Sequence, residues 1–267
     1  MADSILQKKS VCVVTGPTRG LGRSIAYQLS KKLPDGSLFI LLSKNKALLD
    51  EIAGLIITHR DEIRVVTSVF DQGSSDQGQF DNVFQDCLVK AGAHVNEFEQ
   101  AILVNNAGTL ELLELSRDLD NVNAVNVFFS TNITGCVVLT AKFLQVFSAT
   151  AMKARVIINI SSLAAVSPMK SWLLYCMAKS SRDMMMKVIG EEEDNIRTLN
   201  YAPGPLATDM SVIASTETKD PSLRAWFEDQ VKNKTLVECD QSVEKLITVL
   251  EKNSFANGAH IDYYDEA

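Results

Sequence analysis

The chain has no apolar run long enough at its start to mark export or membrane insertion. Met1 to Ser10 carries Lys8 and Lys9, and the apolar stretch that follows stops at Gly16, too short for a secretory signal or a bilayer span. A cytoplasmic protein is expected, with no membrane partner. Excess positive charge is also missing. With 33 acidic against 26 basic side chains the net charge is −7, which gives no general attraction to nucleic-acid phosphate, so any anion site must be a local cluster of donors. Cysteine is sparse and unpatterned: Cys12, Cys87, Cys136, Cys176 and Cys239 are odd in number and widely spaced, which fits reduced, mostly buried thiols better than a disulfide framework. No CxxC occurs, and His59, His94 and His260 share no ligand spacing, so no metal site is expected and each histidine reads as structural or exposed. Linkers and repeats are absent too, and the 267 residues read as one domain spanning 1–267.

What is present is a regular alternation. Strand-length apolar runs cover Val11 to Thr15, Leu38 to Ser43, Ile63 to Phe70, Ala101 to Asn105, Arg155 to Ser161, Ile196 to Ala202 and Ala259 to Tyr264, separated by segments of helical spacing. Continuous runs such as AILV and RVIINI suit strands covered on both faces. The expectation is therefore an α/β, doubly wound (Rossmann) parallel sheet of seven strands with helices on both faces. Pro34-Asp35-Gly36, Pro203-Gly204-Pro205 and Asn257-Gly258 punctuate it as turns. Leu206 to Asp240, polar and weakly periodic, lies where such a sheet places ligand-facing connections and is a candidate mobile lid.

Two constellations carry chemistry. Thr15-Gly16-Pro17-Thr18-Arg19-Gly20-Leu21-Gly22 directly follows the first strand and opens a helix, so its glycines permit a tight turn while helix N-terminal amides face a pyrophosphate. Tyr175 and Lys179 stand at i and i+4 on a predicted helix, sharing one face and one ligand. They follow a strand that ends in Ser161 and Ser162, and periodicity leaves open which of the two hydroxyls faces the cleft. Charge argues the cofactor. After the second strand the chain reads Ser43-Lys44-Asn45 with no carboxylate until Asp50, so nothing acidic awaits a ribose 2′-hydroxyl, while Lys44 and Arg19 together suit a 2′-phosphate. The cofactor expected is NADPH/NADP+.

The GxxxGxG spacing, Asn105-Asn106-Ala107-Gly108 after the fourth strand, Asn132, and Ser162 with Tyr175-x-x-x-Lys179 resemble the short-chain dehydrogenase/reductase family. That resemblance selects Ser162 over Ser161 and implies a catalytic set of Asn132, Ser162, Tyr175 and Lys179. It implies cofactor contacts from Gly16, Thr18, Arg19, Gly20, Leu21, Gly22, Lys44, Asn45, Asp71, Asn106, Ala107, Gly108, Tyr175, Lys179, Pro203, Gly204, Leu206, Thr208 and Met210, with Asp71 toward the adenine. Within the family, the segment Asn200 to Met210 and the terminal Gly258 to Asp265 look like the members that reduce pterin side-chain carbonyls. They imply that Asp262 meets the pterin's amino-pyrimidine edge, with Ser162, Tyr175 and Gly204 beside the substrate. Lys44, where arginine is expected, and Pro17 in the turn depart from that pattern. A homodimer through the Tyr175 helix, whose stripe Met184 to Met186 suits core or interface, is the family's habit. A broad reductase of small ketones, or a silent NADPH-binding regulator, would share most of these residues.

Overall fold

The computed structural model describes residues 3–266. Seven strands form one sheet: β1 (Ser10–Thr15), β2 (Leu38–Ser43), β3 (Arg64–Val69), β4 (Gln100–Asn105), β5 (Ala154–Ile160), β6 (Ile196–Ala202) and β7 (Ala259–Asp262). Their order is β3-β2-β1-β4-β5-β6-β7 and every pairing is parallel. The connecting helices are α1 (Gly20–Ser30), α2 (Lys46–His59), α3 (Gln77–Lys90), α4 (Val122–Phe129), α5 (Gly135–Val146), α6 (Leu173–Glu192), α7 (Asp209–Glu217), α8 (Pro221–Asn233) and α9 (Cys239–Lys252). Each strand falls within two residues of its apolar run. The seventh is the shortest: Tyr263 N still donates to Ala202 O at 2.8 Å, and the chain then turns at Tyr263 and Tyr264.

Continuous apolar strands bury both sheet faces, as a parallel sheet requires. Cys12, Val14, Phe39, Leu41, Ile102, Val104, Ile158, Leu199 and Tyr201 face a core built with α1, α2 and α9. Val11, Val13, Leu38, Ile40, Leu103 and Ile157 face the opposite core with Phe80, Phe84, Leu139, Phe143 and Met186. A smaller third cluster, including Leu110, Leu113, Phe128, Trp172, Tyr175 and Phe227, lies beyond the strands' C-terminal ends. The order reverses between β1 and β4, so a crevice opens outside their carboxyl ends, where open α/β sheets take their ligands.

The continuous helical stretch Val122–Val146 is long and apolar enough to cross a membrane by length and composition alone. In the fold its Leu139 and Phe143 pack on the sheet and Phe128 enters the third cluster, while Val127 and Val137 stay exposed. The polar connection from 206 to 240 holds two helices, α7 and α8, which the weak periodicity concealed. Its base is pinned: Val237 N donates to Pro205 O and Ala207 N to Val237 O, both at 2.9 Å. Its interior is fixed by Trp172, which stacks on Phe227 at 5.3 Å and donates to Thr218 Oγ1 at 3.0 Å.

Candidate active site

The turn after β1 is built for a close backbone approach. Gly16 sits at φ +64°, and a Cβ on Gly22 would lie 2.1 Å from Gly16 O and 2.5 Å from Asn106 Nδ2. The turn is stitched to the one after β4. Thr15 Oγ1 accepts from Asn106 N at 3.0 Å and Ala107 N at 2.9 Å, and Asn106 Nδ2 donates to Thr15 O at 2.9 Å and Gly16 O at 3.1 Å. No side chain caps the first turn of α1, so its amides are open to an anion. This glycine cradle with an uncapped helix start fits a dinucleotide pyrophosphate. Leu21 is buried in the core behind α1, and Thr208 caps α7 above Gly20, its methyl 3.2 Å from where a Cβ would stand.

Beside this turn lies the one after β2, joined to it where Thr18 Oγ1 meets Ser43 Oγ at 3.5 Å. Arg19 and Lys44 both stand at this edge with side chains about three-quarters exposed. Each is already turned to a carboxylate: Arg19 Nη1 lies 2.7 Å from Asp209 Oδ2, and Lys44 Nζ lies 3.8 Å from Asp71 Oδ1. Asp71 also accepts from Gly73 N at 2.9 Å, and Asn45 spends its side chain capping α2 through Leu48 N at 3.1 Å.

Tyr175 and Lys179 lie on the buried face of α6, with Lys179 Nζ 5.4 Å from the Tyr175 ring centroid. The third cluster holds the ring, Trp172 packing edge-on at 5.6 Å, and the hydroxyl reaches Met210 Sδ of α7 at 3.9 Å. Burial pushes the Tyr175 phenol up to about 12, opposed by the Arg182 charge and by a hydrogen bond from Ser162. Burial and the Arg182 charge together press Lys179 down to about 7, against the pull of Asp183 and Cys136. Its ammonium donates to Ile160 O at 2.7 Å. The two serines part company. Ser161 is buried, continues the β5 ladder to Tyr201 O and donates to Asp183 Oδ1 at 2.6 Å, while Ser162 opens the next turn beside Tyr175 and accepts from Ala164 N at 3.1 Å.

Asn132 sits in a π-turn, Ser130–Thr134, between α4 and α5, a distortion frequent at functional sites. Its Oδ1 accepts from Thr109 N at 2.9 Å and its Nδ2 donates to Phe128 O at 3.1 Å, so it fixes the backbone just past Gly108.

Sequence reasoning missed what lies beneath. Arg182 and Asp183 follow Lys179 on α6 and are both buried. Asp183 takes hydrogen bonds from Ser161 and from Asn159 Nδ2 at 3.1 Å and pairs with His260 Nδ1 at 2.7 Å, while Asn159 Nδ2 also donates to Asn200 Oδ1 at 2.8 Å. The available signal was two charges in helical register with Tyr175 and Lys179, three and four residues beyond Lys179.

Asp262 ends β7, paired in register with Ala202, which places it beside Pro203-Gly204-Pro205. It is half-buried, and one carboxylate oxygen accepts from Tyr264 N at 3.0 Å. Gly204 stands at φ +76°, where a Cβ would lie 3.5 Å from Tyr263 and Val237, and Pro203 O accepts from Ser242 Oγ at 2.9 Å. Leu206 packs against the core at the base of the α7–α8 connection.

The family model for short chain dehydrogenase matches residues 10–219, and the chain belongs to that family of nicotinamide-dependent oxidoreductases acting on carbonyl or CH–OH groups. It is 36% identical over 256 residues to sepiapterin reductase of Xenopus tropicalis, covering 96% of each chain. It is 35% identical over 261 residues to sepiapterin reductase of Rattus norvegicus, covering 96% of this chain and 97% of that one. Among solved structures, a short-chain dehydrogenase of Escherichia coli CFT073 complexed with NADPH superposes with a TM-score of 0.78 at 18% identity, covering 97% and 98% of the two chains.

Proposed function

We propose that this protein reduces side-chain carbonyls of pterins, sepiapterin and 6-pyruvoyl-tetrahydropterin, with NADPH as the reductant. The observation that carries the reading is the convergence of Ser162, Tyr175 and Lys179 at the β1/β4 crevice, with Asp262 at the far wall beside Gly204. The likeness to two sepiapterin reductases over nearly whole chains supports it.

The glycine turn and the open amides of α1 would hold the pyrophosphate, and Arg19 and Lys44, now paired with Asp209 and Asp71, would hold the 2′-phosphate. When bound, the nicotinamide supplies a hydride to the substrate carbonyl carbon. Tyr175 donates its proton to the carbonyl oxygen, and Ser162 donates a hydrogen bond to the same oxygen. A phenol held at about 12 gives up its proton only when positive charge stands by the tyrosinate, which Lys179 provides while protonated. Asn132 holds the Gly108–Thr109 backbone and orders a water through which Lys179 regains its proton. The second oxygen of Asp262 accepts from the substrate's amino-pyrimidine edge, the first being held by Tyr264 N.

Five unpaired thiols support a reducing, cytosolic compartment. Exposed Met177, Met184 and Val188 along one face of α6 support a homodimer through that helix. Steady-state assays of sepiapterin against a small diketone, each with NADPH and with NADH, test the reading. A higher kcat/KM for sepiapterin with NADPH supports it. Equal or better use of the diketone makes the chain a broad carbonyl reductase, and no turnover with either makes it a silent binder.

A further inference from the structure

Arg182 is the most deeply placed cation at this site. Its residue is 1% exposed, it stands three residues from Lys179 and seven from Tyr175 on one helical face, and a guanidinium stays charged at any working pH. Bringing such a charge out of water is costly, and interior cations are ordinarily matched with a carboxylate. Here every hydrogen-bond partner is a neutral oxygen: Asn159 Oδ1 at 2.8 Å, Ala107 O at 3.2 Å and Asn105 O at 2.5 Å. The neighbouring carboxylate, Asp183, is spent on Ser161, Asn159 and His260. Among the described residues the cation therefore has no ion-pair partner, and it stands next to Tyr175 and Lys179. Its fork also spans three elements. It joins α6 to β5 and to the turn after β4, whose next residues, Gly108 and Thr109, are those that Asn132 reads.

We propose that Arg182 is a positioning residue for the reduction, clamping the turn after β4 against the catalytic helix and lending a permanent positive charge that stabilises Tyr175 as it loses its proton. This rests on the assignment of Tyr175 as proton donor. The same charge acts on both titrating groups: it pulls the Tyr175 phenol down, the direction that proton donation requires, and it also presses Lys179 down, so that the permanent charge of Arg182 remains where that of Lys179 is lost. The other groups facing them are Ser162 and Cys176 at Tyr175, and Asp183 and Cys136 at Lys179. An alternative placement of the charge, one paired to Asp183, would cancel this effect.

The test compares Arg182→Gln, which removes the charge and keeps a donor, with Arg182→Lys, which keeps the charge and loses the fork. Both are assayed with sepiapterin and NADPH from about pH 5.5 to about pH 9, with Tyr175→Phe as a control and melting temperature as a second readout. Arg182→Gln should lower kcat on the order of tenfold or more with KM changed less than about twofold, because the loss falls on the transition state. Its alkaline limb should move up by about half a pH unit or more, since neither Lys179 nor Tyr175 is any longer pushed toward its deprotonated form. Arg182→Lys should keep the limb of the parent enzyme and recover part of kcat. A lower melting temperature with kcat and limb unchanged would reduce Arg182 to a structural role and overturn the proposal. If Arg182→Gln is insoluble, Arg182→Lys decides: reduced kcat at unchanged KM and near-parental melting supports the proposal, and parental kcat overturns it. Wild-type turnover in Tyr175→Phe would instead remove the assignment beneath it, whatever Arg182 does.

Discussion

His260 Nδ1 and Asp183 Oδ2 lie 2.7 Å apart, tying the last strand to the helix that carries Tyr175 and Lys179. Asp262 is two residues further along that strand, so the ion pair couples the far wall of the cleft to its reacting groups. The hydrogen bond to Asp183 raises the His260 pKa above its ordinary 6.5, burial opposing. A group whose folded value is raised contributes stability that is complete below its unfolded value and is lost as pH rises through the folded one. His260→Gln should therefore lower the melting temperature most below about pH 6.5, with the gap to wild type narrowing as pH is raised. Melting curves across that range check it, and a gap that widens with pH contradicts the pairing.

Tyr175→Phe removes the hydroxyl that faces Ser162 and Met210 and keeps the ring that Trp172 packs. Turnover should fall on the order of a hundredfold or more while NADPH affinity and melting temperature stay close to wild type. Parental turnover with sepiapterin would take the general acid away from Tyr175.

Lys44→Glu places a carboxylate where Lys44 now meets Asp71, at the edge of the turn after β2. NADPH should weaken much more than NADH, because the new charge repels a 2′-phosphate and accepts from a 2′-hydroxyl. Fluorescence titration with both nucleotides measures this. Unchanged affinity for both would exclude Lys44 from the cofactor's reach.

Gly22→Ala should abolish or sharply weaken binding of either nucleotide, since its Cβ would stand 2.1 Å from Gly16 O and force the turn after β1 open. The same titration reads it, and an alanine variant with parental affinity would remove the turn from the pyrophosphate site.

The sheet was legible in the sequence because a parallel strand buried on both faces writes itself as an apolar run, as β1, β2, β4 and β5 do, while β3 at the sheet edge is only part-buried and carries Arg64, Thr67 and Ser68. The turn after β1 and the Tyr175–Lys179 pair were legible for a related reason: glycine spacing and an i, i+4 step are local, and local geometry survives in one dimension. Three things were not. α7 and α8 bury few apolar residues, Ala214 on one and Phe227 on the other, so their period is weak. The π-turn at Asn132 depends on a bond to Thr109, 23 residues away in sequence. Arg182 reads as one more charge on a long helix until Asn105 of β4, Ala107 of the turn after it and Asn159 of β5 close around it.

The assignment of a pterin substrate meets its most direct test in Asp262→Asn. One oxygen of Asp262 already accepts from Tyr264 N, and asparagine keeps that cap while replacing the second acceptor with an amide donor. A charge-assisted hydrogen bond contributes about 1.5 to 3 kcal/mol, so kcat/KM for sepiapterin should fall roughly ten- to a hundredfold. A small diketone, which has no amino-pyrimidine edge, should be reduced at nearly the parental rate. That split between substrates is the predicted result; equal losses for both, or no loss for either, would contradict a pterin anchored by Asp262.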